Sequence, residues 1–333
     1  MDKYQLITKH LQEVVGEQDL QELLKTRSPV IYWGTAPTGK PSIGYLVPVL
    51  KIADFLRAGC TVKILFANMH AYLDNMKSTW DQLEYRTQFY QLLITEILKI
   101  AKVPIEKLEF VKGTDFQLQE QYTLDMYKLC ALVSTRDTIK AGAQVVKQIE
   151  TPKMSSLLYP VLQALDEQYL GVDVQFGGVD QRKIFMFARE FLPKIGYNKR
   201  IHLMNPLIPG LGASGKMSSS QPNSKIDFDD SDAIIQKKIQ KAHCVDGDVQ
   251  NGLLPICKYI LFELYGSVKI SRPQKYGGDI VYETYETLEA DFVQKKLSSF
   301  DLKQAVSSCM TTLISPVRAT LEKNTALIEK AYD

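Results

Sequence analysis

Tyr159, Gln163 and Asp166 in "LLYPVLQALDEQYL" are spaced by four and then three residues, so on a helix all three project from one face. A phenol, an amide and a carboxylate in line among leucines are costly to bury without partners. The ordinary reading of such a line is a solvated helix face. Against it, "VDVQFGGVDQ" supplies a second polar group, with Gln175, Asp180 and Gln181 around Gly177-Gly178. Amides and acids from two segments at one sheet edge suit a small zwitterion such as an amino acid.

Two other stretches suit phosphate. "GTAPTGKPSIGY" follows a β-rich run, the position where a Gly-containing loop and a helix N-terminus receive anions in doubly wound sheets. It fits neither GxGxxG nor GxxxxGK[ST], and an ordinary strand-to-helix loop is its plain alternative. Pro41 reads as a first-turn residue, with Ser42, Ile43 and Gly44 just inside the helix. The tetrapeptide KMSS occurs twice, at Lys153–Ser156 and Lys216–Ser219. The second copy lies in "GLGASGKMSSSQPNSKID", whose small and polar residues expose Lys216 and leave amides and hydroxyls free for phosphate oxygens. The first runs into the apolar side of a helix (Leu157, Leu158, Val161, Leu162, Leu165) and reads as its start, with Ser155 or Ser156 a candidate N-cap.

These groups need a scaffold. A helix is expected over residues 5–25, a strand from Val30 to Thr35, then a helix capped by Gly59 and a strand from Thr61 to Met69. A strand, turn, helix and strand make a right-handed parallel βαβ unit. The alternation continues with a helix over about 80–101, a strand in "KLEFVKGT", a helical block over about 119–170, and strands in "VDVQFGG" and "IHLMNPLI" around another helix. This predicts an α/β fold with a doubly wound parallel sheet over 1–225, and a mostly helical region over 226–333.

The net charge is only +2, so any nucleic-acid partner must be met by a local basic patch. The five cysteines carry no metal spacing and read as free thiols in a reducing compartment. The N-terminus is charged and amphipathic, unlike a secretory leader, and no apolar run approaches the roughly 20 residues needed to cross a bilayer. A soluble cytoplasmic protein without membrane contact or structural metal is expected.

Eight stretches occur in an order that resembles one family: "YWGTAPTGKPSIGY", "HAYLDNMK", "KAGAQVVKQ", "LLYPVLQALDEQYL", "QFGGVDQRKIF", "HLMNPLIPGL", "KMSSS" and "RPQKYGGDIVY". The chain resembles the tyrosyl-tRNA synthetases, class I aminoacyl-tRNA synthetases of the eukaryotic and archaeal type. The resemblance implies a Rossmann-like catalytic domain with a helical dimer-interface insertion (about 115–165), then a helical anticodon-binding domain. It also implies condensation of L-tyrosine with ATP, accompanied by Mg²⁺, to tyrosyl-adenylate, and transfer to tRNA-Tyr by a homodimer. By that resemblance Tyr32 and Asp166 bond the substrate phenol, and Tyr159, Gln163 and Gln181 hold its ammonium group with Gln175 nearby. Asp180 meets the adenosine ribose, with Gly34, Gly44, Gly178 and Met217 around the nucleotide. Lys216, Ser218 and Ser219 close on the pyrophosphate, assisted by Thr38 and Ser42. Tyr276 stacks on the first anticodon base, Asp301 reads its edge, and Lys237 and Lys238 meet tRNA phosphate. Activities of the carboxyl-terminal module that some animal members carry are not expected.

Ser42 departs from the family, whose signature has histidine there; serine donates one hydrogen bond from a shorter arm. Asn68 stands where aspartate is common, and His70 reads as a satisfied residue behind the site. Two alternatives remain: a tryptophanyl-tRNA synthetase, against which Asp166 and Tyr32 argue, and a catalytically weakened tRNA- or partner-binding paralogue, for which Ser42 argues.

Overall fold

In the computed structural model, residues 1–74, 78–145, 152–213 and 224–332 are described. Strands β1 (Glu13–Val15), β2 (Val30–Thr35), β3 (Thr61–Phe66), β4 (Leu108–Lys112), β5 (Val174–Gly178) and β6 (Ile201–Asn205) form one sheet in the order β1-β6-β5-β2-β3-β4. All neighbours are parallel except β1, which runs antiparallel along β6. The chain winds outward from β2 through β3 and β4, then returns to the other side of β2 with β5 and β6. The direction reverses between β2 and β5, and a crevice opens there at the strands' carboxyl ends.

The helices are α1 (Lys3–Thr8), α2 (Glu17–Thr26), α3 (Leu46–Arg57), α4 (Asn68–Leu73), α5 (Trp80–Ile100), α6 (Glu120–Leu132), α7 (Thr135–Gly142), α8 (Met154–Tyr169) and α9 (Arg182–Phe191). Toward the carboxyl end come α10 (Asp232–Gln240), α11 (Leu253–Ile256), α12 (Phe262–Tyr265), α13 (Tyr285–Val293), α14 (Ser299–Glu322) and α15 (Thr325–Tyr332), with a two-stranded ribbon of β7 (Val268–Ile270) and β8 (Ile280–Tyr282). The region after residue 225 is helical as expected, apart from that ribbon. One buried cluster includes Ile52 and Phe55 of α3, Leu93 and Ile97 of α5, and Leu313, Ile314 and Val317 of α14.

The single helix expected over 5–25 is instead α1, β1 and α2. His10 is left-handed at φ 60°, and the Lys51 ammonium of α3 takes the Leu6 and Lys9 carbonyls at the end of α1 (2.7 and 2.9 Å). Edge pairing with β6 then recruits Glu13–Val15, a contact that local periodicity does not record. Ser42 differs as well. It is extended (φ −108°, ψ −179°) ahead of a 3₁₀ turn at Ile43–Tyr45, outside the helix proper. At α8 the N-cap is Lys153, not a serine, and the Ser156 hydroxyl donates back to the Lys153 carbonyl (2.7 Å).

Candidate active site

A cavity of about 760 Å³ fills the crevice, within the range of roughly 300–1,000 Å³ usual for small-molecule sites. Its walls include Tyr32 and Gly34 of β2, Leu65 of β3, His70 of α4, the α8 face, Gln175 and Gly178 of β5, and Asp180 and Gln181 beyond it. Thr38, Ser42 and Gly44 line it from the loop after β2. The register makes Tyr32 and Gln175 direct neighbours, so the two segments singled out by polarity meet across adjacent strands.

Asp166 is 1% exposed, so its carboxylate is desolvated. Gln117 Nε2 and the Tyr122 phenol donate to its Oδ1 (2.8 and 2.9 Å), while Oδ2 accepts nothing among the described residues. Burial pushes the carboxyl up to about 7, against the pull of those two donors. Among the described residues the Tyr32 hydroxyl reaches only the Gln163 carbonyl, at 3.5 Å, beyond a good hydrogen bond. Burial and then the Asp166 charge hold that phenol well above its ordinary range. A free carboxylate oxygen and a nearly free phenol therefore face one cavity. A ligand hydroxyl placed there would satisfy both.

His70 is not the satisfied residue the sequence suggested. It lines the cavity at 2% exposure, and neither ring nitrogen has a hydrogen-bond partner among the described residues. The Tyr159 ring meets it edge-on, 4.6 Å between centroids. Its Nε2 lies 3.8 Å from Asp166 Oδ2, but burial drives the imidazole down to about 4, so it is neutral at pH 7 and the contact is no ion pair. Asn68 is structural: its amide group exchanges hydrogen bonds with Thr114 and accepts the Met69 N–H, tying α4 to the turn after β4.

From the α8 face a polar chain runs outward. Gln163 Nε2 donates to Gln181 Oε1 (3.1 Å), and Gln181 Nε2 leans on Asp180 Oδ2 (3.4 Å). Burial raises the Asp180 carboxyl. Gly178 is there for space, since a Cβ would lie 2.4 Å from Asp180 Oδ1. Beneath the floor Glu167 and His202, both fully buried, share a hydrogen bond of 2.7 Å. The loop after β2 is held by its carbonyls. Arg86 takes that of Thr38, and the Tyr90 and Tyr332 phenols take that of Gly39 (2.6 and 3.2 Å).

Lys216, Met217, Ser218 and Ser219 lie outside the described residues. In the carboxyl-terminal half, Lys237 is exposed but Lys238 is turned inward at 7% exposure, against Asp230. Tyr276 is 63% exposed with the Lys275 ammonium 4.8 Å over its ring. Asp301 opens α14, where its carboxylate accepts from Ser298 (2.8 Å). Arg272 joins these two regions by donating to the carbonyls of Gly278 and Lys296. Sequence reasoning missed Gln117, Tyr122, Glu167 and His202. A buried carboxylate implies donors, but nothing in local spacing says which.

A doubly wound sheet with a cavity at its switch point places the chain among α/β proteins that take ligands at the carboxyl ends of their strands. Comparison with known proteins narrows this. The family described as tRNA synthetases class I (W and Y) matches residues 24–315, and the chain belongs to it. Cytoplasmic tyrosine–tRNA ligase of Gallus gallus is 55% identical over 318 residues, covering 95% of this chain and 60% of that protein. The Saccharomyces cerevisiae counterpart is 48% identical over 338 residues, covering 97% and 85%. Tyrosyl-tRNA synthetase from Archaeoglobus fulgidus, complexed with L-tyrosine, superposes with a TM-score of 0.89 at 35% identity, covering 95% of this chain and 98% of that one. The chain thus spans about 60% of the length of the vertebrate relatives it matches.

Proposed function

We propose that the chain is a tyrosine–tRNA ligase. The tyrosine carboxylate attacks the α-phosphorus of ATP and pyrophosphate leaves. A ribose hydroxyl of the terminal adenosine of tRNA-Tyr then attacks the tyrosyl carbonyl of the adenylate, AMP leaves, and the hydroxyl proton departs with it or to solvent. The observation that carries this reading is the pair of under-satisfied groups, Asp166 Oδ2 and the Tyr32 hydroxyl, facing a cavity of about 760 Å³, which has room for an amino acid and a nucleotide together. A tyrosine phenol donates to the carboxylate and accepts from Tyr32. Phenylalanine would leave both unpaired, and this gives discrimination. Relatives named tyrosine–tRNA ligase, and a neighbour complexed with L-tyrosine, support the same substrate.

In this reading Tyr159, Gln163 and Gln181 hold the ammonium group, with Gln175 behind them. Asp180 receives the ribose, and Gly34, Gly44 and Gly178 leave room for the nucleotide. Thr38, Ser42, Lys216, Ser218 and Ser219 meet the phosphates, and Mg²⁺ arrives with ATP and offsets its charge. Little covalent chemistry is asked of the chain, since positioning and charge stabilisation carry the reaction. Residues 1–225 form the catalytic unit and 226–333 the tRNA-binding unit, where Lys237, Tyr276 and Asp301 meet the anticodon arm. A homodimer is supported by apolar side chains exposed on the helical insertion, among them Leu124, Tyr127, Leu132 and Met154. The word "cytoplasmic" in the relatives' names supports that location.

Exchange of labelled pyrophosphate into ATP tests the proposal. Tyrosine should support it and tryptophan should not. Exchange with tryptophan alone would transfer the chain to the other branch of its family. No exchange with either would favour the weakened paralogue to which Ser42 points.

A further inference from the structure

Lys238 sits beside Lys237 in the sequence, but its structural setting is different. Its ammonium lies 2.6 Å from Asp230 Oδ2 and 3.8 Å from Asp227 Oδ2, with the side chain 8% exposed. Asp230 Oδ2 also accepts the Asp227 backbone N–H (2.8 Å), and Arg318 of α14 donates to the Asp230 carbonyl (2.7 Å). Two helices of the carboxyl-terminal half therefore grip the turn 227–230. That turn touches the site directly. Asp227 pairs with Ser42 as an isolated antiparallel bridge, and the Ile43 N–H donates to the Ile226 carbonyl at 3.0 Å.

We propose that Lys238 is a positioning residue for the nucleotide end of the active site. It neutralises Asp230, Asp230 fixes the 227–230 turn, and the turn sets where Ser42 and Gly44 stand. Without its cation the Asp230 carboxylate is left buried and unpaired, and it escapes by moving toward water. Its bond to the Asp227 N–H moves with it, and the bridge to Ser42 loosens. Lys238 is consequently withdrawn from tRNA, and the helical half acquires a mechanical route to the loop that meets ATP. The inference rests on the adenylation reading above, but its first readout does not.

The test is hydrogen exchange at the Ile43 amide in the full chain, with pyrophosphate exchange alongside. In Lys238→Met the Ile43 amide should exchange at least about tenfold faster, while Tyr32 and Trp33 of β2 keep their protection. The turnover of tyrosine-dependent pyrophosphate exchange should fall about tenfold, with tyrosine affinity held within about twofold, since misplacement near 1 Å costs on that order or more. The double variant Lys238→Met, Asp230→Asn keeps an acceptor for the Asp227 N–H without the unpaired charge and should recover most of both losses. Unchanged Ile43 protection in Lys238→Met overturns the proposal whatever the activity. Normal pyrophosphate exchange with a raised KM for tRNA also overturns it and returns Lys238 to phosphate contact. If Lys238→Met does not fold, Asp230→Ala removes the same acceptor, and an unaltered Ile43 amide there refutes the proposal equally. A wild-type chain inactive with tyrosine sinks the adenylation reading alone, because the amide measurement still decides the positioning role.

Discussion

Replacing Asp166 by asparagine should make the protein more stable and less able to hold tyrosine, and the stability gain should depend on pH. Burial raises the Asp166 carboxyl from 3.8 to about 7. In the folded state it keeps its proton up to about pH 7, whereas in the unfolded chain it loses it near pH 4. Between those values the folded state binds more protons, so stability falls as pH rises through the window and levels off above it. A difference of about three pH units corresponds to a cost of about 4 kcal/mol at pH 8, an upper bound for this group. Asparagine cannot ionise, yet its oxygen accepts the same Gln117 and Tyr122 donors that reach Oδ1 at 2.8 and 2.9 Å. Asp166→Asn should therefore match the wild type at about pH 3, where both states keep the proton, and exceed it by up to about 4 kcal/mol near pH 8. His70, driven down to about 4, adds its own cost as pH falls below 6.5, but that cost is common to both proteins and cancels in the difference. Urea unfolding at several pH values measures the gap. Tyrosine binding at pH 8 should weaken by about 10- to 100-fold with loss of the charged acceptor. A gap that stays constant with pH, or a variant less stable at pH 8, would refute the claim that desolvation strains this carboxylate.

Three further outcomes are expected. Ser42→His should raise the rate of tyrosine-dependent pyrophosphate exchange, because a longer donor then reaches the phosphates; no gain means the position carries little. Gly178→Ala should depress that exchange by about tenfold or more while sparing tyrosine binding. The backbone there (φ −72°, ψ 158°) suits any residue, so the fault lies in the close approaches of an added Cβ, 2.4 Å to Asp180 Oδ1 and 3.0 Å to Leu207 Cδ2. Asp301→Ala should slow tRNA charging by about tenfold and leave adenylate formation intact, as expected for loss of one base contact. Equal loss of both activities would remove Asp301 from the tRNA interface.

Much of the architecture can be read locally. Val30–Thr35 is a strand because β-branched and aromatic residues crowd it, and the α8 face emerges from a spacing of four and three. Gly177 and Gly178 close β5 where an added Cβ would lie 2.8 Å from Phe185 and 2.4 Å from Asp180, a crowding that only the tertiary structure reveals. Periodicity misled where a neighbour overruled it, as at residues 13–15, where an edge of the sheet turned a helical pattern into β1. Lys238 is the sharper case. Its sequence context is a pair of adjacent lysines, and its burial depends on an aspartate eight residues earlier and an arginine on α14.

By itself the sequence determined which side chains share a face, which loops follow strands, and the family to which those motifs belong. Such properties depend on helix and strand geometry within a few residues. Only the tertiary structure decided that Asp166 Oδ1 is taken, that Oδ2 and the buried His70 ring have no hydrogen-bond partner among the described residues, and that Ser42 hangs on a turn held by α10 and α14. Gln117 reaches Asp166 across 49 residues and Tyr122 across 44. Desolvation and hydrogen-bond satisfaction are set by which distant segments the sheet brings together, and local spacing carries no record of that pairing.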